Sequence, residues 1–153
     1  MNDRNLTWVS ATAYEQYMGR WSRQLASKFA AWLPVPPGGH WLDVGCGTGA
    51  LTAEICAQAN PASVIGCDPS ETFLAYARET LGESCATFVA TGVGNLPTRP
   101  GGFDSVTSAL ALNFFPHPRA AVREMHRITA HGGVVSACVW DYAGKMDFLR
   151  RFW

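Results

Sequence analysis

Apolar residues recur at three- and four-residue steps from Tyr14 through Met18, Trp21, Leu25 and Phe29 to Trp32 or Leu33. That is the spacing of one helix face. Thr12-Ala13-Tyr14-Glu15 has the Thr-x-x-Glu form of a capping box and predicts where the helix begins, after a loose lead-in over residues 1–10. Gly19 interrupts the stripe at a cost of roughly 1 kcal/mol relative to Ala, so a break or bend is expected there. Pro34-Val35-Pro36-Pro37-Gly38-Gly39 stops the helix. Beyond it, short apolar runs at 40–44, 63–67, 85–90, 103–110 and 134–140 read as buried strands. Between them lie helical stripes on Leu51, Ile55 and Ala59, on Phe73, Leu74, Ala77 and Leu81, and on Val122, Met125 and Ile128. Glu124 and Arg127 point away from the last of these as an outward ion pair. His131-Gly132-Gly133 is expected to close that helix as a glycine C-cap. Met146, Leu149, Phe152 and Trp153 open one more short stripe. Strands alternating with helices predict an α/β fold on a parallel sheet, with helices at 1–39 leading into a core at 40–153.

Composition narrows the function more than the fold. A chain of 153 residues, 48% apolar and 16% charged, is one folded domain. Twelve basic and twelve acidic residues leave no net field to hold a polyanion, which disfavours nucleic-acid binding. No apolar run approaches the roughly 20 residues of a membrane span. No basic start followed by an apolar core marks a secretory leader, and a cytoplasmic location is expected. The five cysteines form no Cys-x-x-Cys pair and are odd in number, so reduced thiols are expected rather than a disulfide frame or zinc site. The four histidines show no metal-ligand spacing.

Chemistry concentrates at His40–Thr52. An apolar run ends in Gly45, Gly47 and Gly49, and a helical pattern follows. Such a strand, turn and helix leave backbone open to a ligand beside the helix N-terminus. Gly45-x-Gly47-x-x-Ala50 satisfies the dinucleotide fingerprint, and Gly45-x-Gly47-x-Gly49 satisfies a loop that holds S-adenosylmethionine. Asp43 helps to separate them. A carboxylate here repels a pyrophosphate and attracts an ammonium and a sulfonium, by about 4 kcal/mol at about 4 Å and an effective dielectric near 20. Its plain alternative role is to hydrogen-bond the turn. Asp68 ends the second strand, where open α/β sheets place an acid on a ribose; its alternative is to cap the next helix, for which Ser70 competes. Nicotinamide enzymes use an acid there too, so Asp68 leaves both classes open.

Leu42-Asp43-Val44-Gly45-Cys46-Gly47-Thr48-Gly49 resembles the first motif of class I S-adenosylmethionine-dependent methyltransferases, of the small-molecule ubiquinone/menaquinone-methyltransferase-like type. The resemblance implies a sheet of order 3-2-1-4-5 and a cofactor held at Asp43, Gly45, Cys46, Gly47, Asp68 and Pro69. Tyr14-x-x-Tyr17-Met18-Gly19-Arg20-Trp21 is similar to the family's N-terminal lid, which implies that Tyr14 and Arg20 contact the cofactor, Arg20 through its carboxylate. Core packing for Tyr14 and a solvated face for Arg20 are the alternatives. Thr91-Gly92-Val93-Gly94-Asn95-Leu96-Pro97 is similar to the family segment Gly-Asp-Ala-Glu-x-Leu-Pro, with Gly92 in place of the Asp that accepts from the adenine amino group. Val93 backbone or Asn95 would then serve the ring, and weakened affinity is expected, by roughly 1.5–3 kcal/mol. By the same resemblance Ala109 and Leu110 line the methionine part, and Asn113 and His117 are candidates to touch the acceptor. No residue stands out as a general base. The family's two further strands do not follow, which leaves the fifth strand as an apolar edge open to a second copy or to the final helix. Methyl transfer to a small-molecule acceptor leads; a non-catalytic binding domain, a fragment of a longer enzyme and a nicotinamide oxidoreductase are the rivals.

Overall fold

The computed structural model describes residues 10–82, 86–142 and 144. The chain enters as α1 (Ala11–Tyr14), passes through a π turn over Glu15–Gly19 and continues as α2 (Arg20–Trp32). Ser10, not Thr12, is the N-cap, its hydroxyl accepting from the Ala13 N–H at 3.3 Å. Glu15 is thereby released from the expected capping box. The expected bend near Gly19 is the π turn, which takes one more residue per turn than an α-helix. That extra residue moves the buried face on by one position. Ser22, Ala26, Ala30 and Leu33 are buried together with Phe29, whereas Trp21 is 53% and Trp32 71% exposed.

Five strands follow: β1 (His40–Val44), β2 (Ser63–Asp68), β3 (Ala86–Ala90), β4 (Phe103–Ala109) and β5 (Thr129–Cys138). They form one parallel sheet in the order β3-β2-β1-β4-β5, as expected. Between them run α3 (Ala50–Gln58), α4 (Glu71–Leu81) and α5 (Pro118–Arg127). β1 is central and covered on both faces, which is why its apolar run is continuous rather than alternating. Trp41 packs with Phe29, Leu51, Ile55 and Val64 on the α2–α3 face. Leu42 and Val44 pack with Phe103, Val106, Met125 and Ile128 on the other. Asp43 therefore shares the face of Trp41, pointing towards α3. In register it stands between Gly66 of β2 and Thr107 of β4.

Several expectations are corrected. Gly132-Gly133 does not cap α5, which ends at Arg127 with Ile128 as C-cap. The glycines lie inside β5, where pairing slips from Phe103↔Thr129 to Ser105↔Val134. Gly132 takes φ +79° within this register shift, an irregularity in the ladder of the kind at which glycine is found in a strand. On α5 the buried inner face is Ala121, Met125 and Ile128, with Val122 40% exposed. The Glu124–Arg127 pair is present at 2.6 Å. Cys56 is disulfide-bonded, against the expectation of five reduced thiols, while Cys46, Cys67 and Cys138 are free. Cysteine spacing alone does not tell which positions a fold brings together. Cys85 and the stripe on Met146, Leu149, Phe152 and Trp153 lie outside the described residues.

Candidate functional site

The order of strands reverses between β1 and β4, and a cleft opens outside their carboxyl ends, the usual ligand position of open α/β sheets. Tyr14, Asp43, Gly45, Cys46, Gly47, Thr48, Ala109 and Leu110 line it, with Ser22, Ala26, Ala50 and Leu51 from the helices. Seven of the residues singled out from the sequence thus meet in one place.

The three loop glycines do different work. An added Cβ on Gly45 would lie 2.5 Å from that of Ala111, and one on Gly49 would lie 3.2 Å from that of Ala77. Both vacancies are filled by the protein's own chain, the loop after β4 and helix α4. Only Gly47, at φ +55°, presents its missing side chain to open space, its nearest neighbour being Phe73 at 3.9 Å. At this position the cleft is lined by bare backbone. The loop is fixed from below, since the Gly45 and Cys46 N–H groups both donate to the Cys67 carbonyl at 2.8 and 3.0 Å.

Asp43 is fully buried. Its Oδ2 accepts from the Thr52 hydroxyl at 2.7 Å, while its Oδ1 is buried with no hydrogen-bond partner. Burial pushes this carboxyl up to about 7; the Thr52 bond pulls the other way, and the charge of Asp68 adds to the rise. A buried carboxylate oxygen without a partner is costly unless a ligand supplies one. The chemistry that suits it is a cation.

Asp68 is placed differently. Its Oδ2 accepts from the Gly47 N–H at 3.0 Å and its Oδ1 from the Ser70 N–H at 2.8 Å. Ser70 takes the cap of α4, accepting from the Phe73 N–H, so Asp68 is free of that duty. A carboxylate has about four lone-pair sites, so two remain unused, though Asp68 itself lies outside the cleft lining. Burial raises its pKa, opposed by the two backbone bonds. Pro69 follows on the exposed rim, and the Thr91 N–H donates to the Asp68 carbonyl at 3.1 Å, tying the Gly92–Val93 segment beside it. Gly92 itself is exposed and outside the cleft lining.

On the roof, the Tyr14 hydroxyl lies 2.9 Å from that of Ser22, and its ring stands 5.5 Å from Phe73. Burial raises the phenol's pKa, and burial raises that of the Cys46 thiol well above its ordinary value. Neither is a base at neutral pH. Arg20 is not brought to the cleft. It is exposed, its guanidinium 4.9 Å from the centre of the Trp21 ring, because the π turn rotates it outward. Asn113 also has another occupation. Its amide donates to the Trp140 carbonyl at 3.0 Å and accepts from the Trp140 N–H at 2.8 Å, fastening the loop after β4 to the end of β5. His117 is exposed at the N-terminus of α5.

Thr52 and Thr48 were not legible as site residues. The signal for Thr52 was a hydroxyl on the inner face of α3, otherwise marked by Leu51 and Ile55, nine positions after a strand-end acid. Leu110 carries a further mark of a functional site, a φ of +60° in a branched residue. Among the described residues no group of three or more His, Cys, Asp or Glu side chains is placed to hold a metal, and no helix is long and apolar enough to cross a membrane.

Residues 42–137 match the family described as "Methyltransferase domain". The chain belongs to the class I S-adenosylmethionine-dependent methyltransferases. This membership decides between the two readings of the glycine loop. Among curated relatives of this methyltransferase chain, malonyl-(acyl-carrier protein) O-methyltransferase of Herminiimonas arsenicoxydans is 31% identical over 131 residues, covering 84% of this chain and 48% of the relative. Demethylmenaquinone methyltransferase of Symbiobacterium thermophilum is 34% identical over 119 residues, covering 74% and 46%. Among solved structures, the complex of the Haloferax volcanii Trm112 methyltransferase activator with a putative methyltransferase superposes with a TM-score of 0.75 at 20% identity, over 92% of this chain and 62% of the other, a likeness of fold. The methyltransferase chain spans about a third to a half of the length of the curated relatives it matches.

Proposed function

We propose that the protein transfers a methyl group from S-adenosylmethionine to a small-molecule acceptor, with the cofactor resting on Gly47 between Asp43 and Asp68. The observation that carries this is Asp43, a residue of the cleft lining whose buried Oδ1 has no hydrogen-bond partner. It suits a cationic ligand and opposes a pyrophosphate. Asp68, with two lone-pair sites left, would hold the ribose hydroxyls, Tyr14 would cover the methionine end, and Ala109 and Leu110 would wall it.

The cofactor supplies a methyl already activated on a sulfonium. The chain's contribution is then alignment and exclusion of water rather than proton transfer. Holding an acceptor in line with the methyl is worth roughly 7–11 kcal/mol where the geometry is a near-attack one. Tyr14 and Cys46 both keep their protons, and Asp43 is engaged below the loop, so no residue is assigned as a general base. The two relatives' names carry a malonyl group methylated on oxygen and a demethylmenaquinone. A carboxylate oxygen is already a nucleophile with no proton to lose and needs little more than orientation, whereas a quinol must also give up a proton, to solvent.

The test has two parts. Isothermal titration should show heat with S-adenosylmethionine and none with NADH; the reverse would overturn the cofactor assignment. Methyl-labelled S-adenosylmethionine, offered with a demethylmenaquinol analogue or a malonyl thioester, should pass label to one of them. Binding without transfer to either would favour a non-catalytic cofactor-binding role.

A further inference from the structure

The helix that covers the cleft is fastened to the glycine loop through one side chain. Glu15, the first residue of the π turn, has a carboxylate only 8% exposed. Its Oε1 accepts from the hydroxyl of Thr48, itself buried between Gly47 and Gly49. Its Oε2 is paired with the Arg23 guanidinium two turns further on. The carboxylate reaches this position because Gly19 has no side chain. A Cβ on Gly19 would overlap Glu15 Oε2 and come within 3.1 Å of Arg23 Nη2. Gly19 has φ −55° and ψ −39°, ordinary helical values. Its glycine thus leaves room for the Glu15 carboxylate, which a Cβ would displace, and serves no special backbone conformation. That accounts for a residue which otherwise weakens the helix.

We propose that Glu15 is a latch: its hydrogen bond to Thr48 holds the N-terminal helix down on the glycine loop, keeps Tyr14 over the cleft and sets how long a bound ligand stays. The ligand part rests on the function proposed above. Tyr14 is the preceding residue, so freeing Glu15 frees the ring that stands against Phe73. Arg23 is half exposed and serves to orient the carboxylate, a weaker contribution than the buried bond to Thr48. Glu15 is a positioning residue in this scheme, since it lies outside the cleft lining.

Amide hydrogen exchange of the ligand-free chain tests the latch without any turnover. Thr48→Val, which keeps the shape and removes the hydroxyl, should speed exchange over residues 11–19 about tenfold and leave β1 and β4 unchanged. Glu15→Ala should do the same, whereas Glu15→Gln keeps an acceptor for Thr48 and should stay near the wild type. Gly19→Ala is the sharpest arm. Helix propensity alone slows exchange there by about fivefold, whereas displacement of Glu15 speeds it. Release of S-adenosylhomocysteine should be about tenfold faster from Glu15→Ala, a position outside the cleft lining, than from the wild type, with association little changed. Unchanged exchange in Thr48→Val together with slower exchange in Gly19→Ala would overturn the latch. Failure of the wild type to bind S-adenosylhomocysteine would instead strike the cofactor assignment, the exchange results still deciding whether the lid is held by Glu15.

Discussion

At the carboxyl end of β1 stands Asp43, fully buried, one oxygen on Thr52 and the other on nothing. One strand over, at the end of β2, Asp68 has both oxygens on backbone N–H groups of two different loops. The residue type is the same, but Asp43 is the penultimate residue of β1, in register with Gly66, and Asp68 is the last residue of β2. Asp68 is bonded into the loop structure and retains spare acceptor capacity. On the function proposed above, Asp43 is a burden on the folded chain until a cation arrives. Two carboxylates of one residue type are thus distinguished by their hydrogen bonds, not by sequence.

Substitution should separate the two sharply. Asp43→Asn keeps the size and an acceptor for Thr52 but removes the charge. Loss of an attraction near 4 kcal/mol predicts S-adenosylmethionine affinity lower by about three decades. The same variant should melt at a higher temperature than the wild type at pH 8, because a buried charge has gone. Asp68→Ala should have a smaller effect on affinity, about two decades, and the opposite effect on melting. It leaves the Gly47 and Ser70 N–H groups unbonded, at a cost of about 1–3 kcal/mol. Calorimetric melting and titration on both variants check this. If both shift stability in the same direction, the distinction between the two acids is wrong.

Sequence alone carried the central half of the molecule further than its margins. The strand, the glycine loop and α3 were legible because the apolar run, the turn residues and the helical period agree there. The lid helix exists where its stripe predicts, yet its buried face is displaced by one residue. A π turn leaves no mark in hydrophobic periodicity, and it is this turn that turns Arg20 and Trp21 outward. The glycines were legible as a turn but not in their separate duties, because Ala111 and Ala77 approach from distant parts of the chain. Asn113 is a candidate acceptor contact only through the family resemblance of its loop, and its bond to Trp140, 27 residues away, leaves no local mark. Long-range partners of this kind are what a local pattern omits.

The end of β3 extends the comparison to a position with no acid. Gly92 has φ −97° and ψ 175°, extended values open to any residue, and an added Cβ meets nothing within 4 Å. Gly92→Asp should therefore fold without strain. If the segment lies beside the adenine ring, as its likeness to the family's third-strand segment implies, the variant should bind S-adenosylmethionine more tightly by about 1.5–3 kcal/mol, or roughly 10- to 100-fold. An unchanged dissociation constant would mean that another group already accepts from the adenine amino group.

The effect that is smallest per step, about tenfold for each pH unit, and most specific to Asp43 is one of pH. The folded chain holds this carboxyl at about 7, above its ordinary 3.8. A raised carboxyl contributes stability that is full below the unfolded value and is lost as pH rises through the folded one. The ligand-free chain should therefore gain stability between about pH 7 and pH 4, by about 1.4 kcal/mol per unit from this residue. Binding runs the other way. A cation needs the charged form, so below about pH 7 it must expel a proton, and affinity should fall about tenfold for each unit of acidification. Opposite slopes for stability and affinity across the same window are hard to obtain from any group that does not face the ligand. Asp43→Asn should flatten both slopes. A binding profile that stays steep in that variant would place the ligand's positive charge beside Asp68 instead, and would reverse the roles assigned to the two acids.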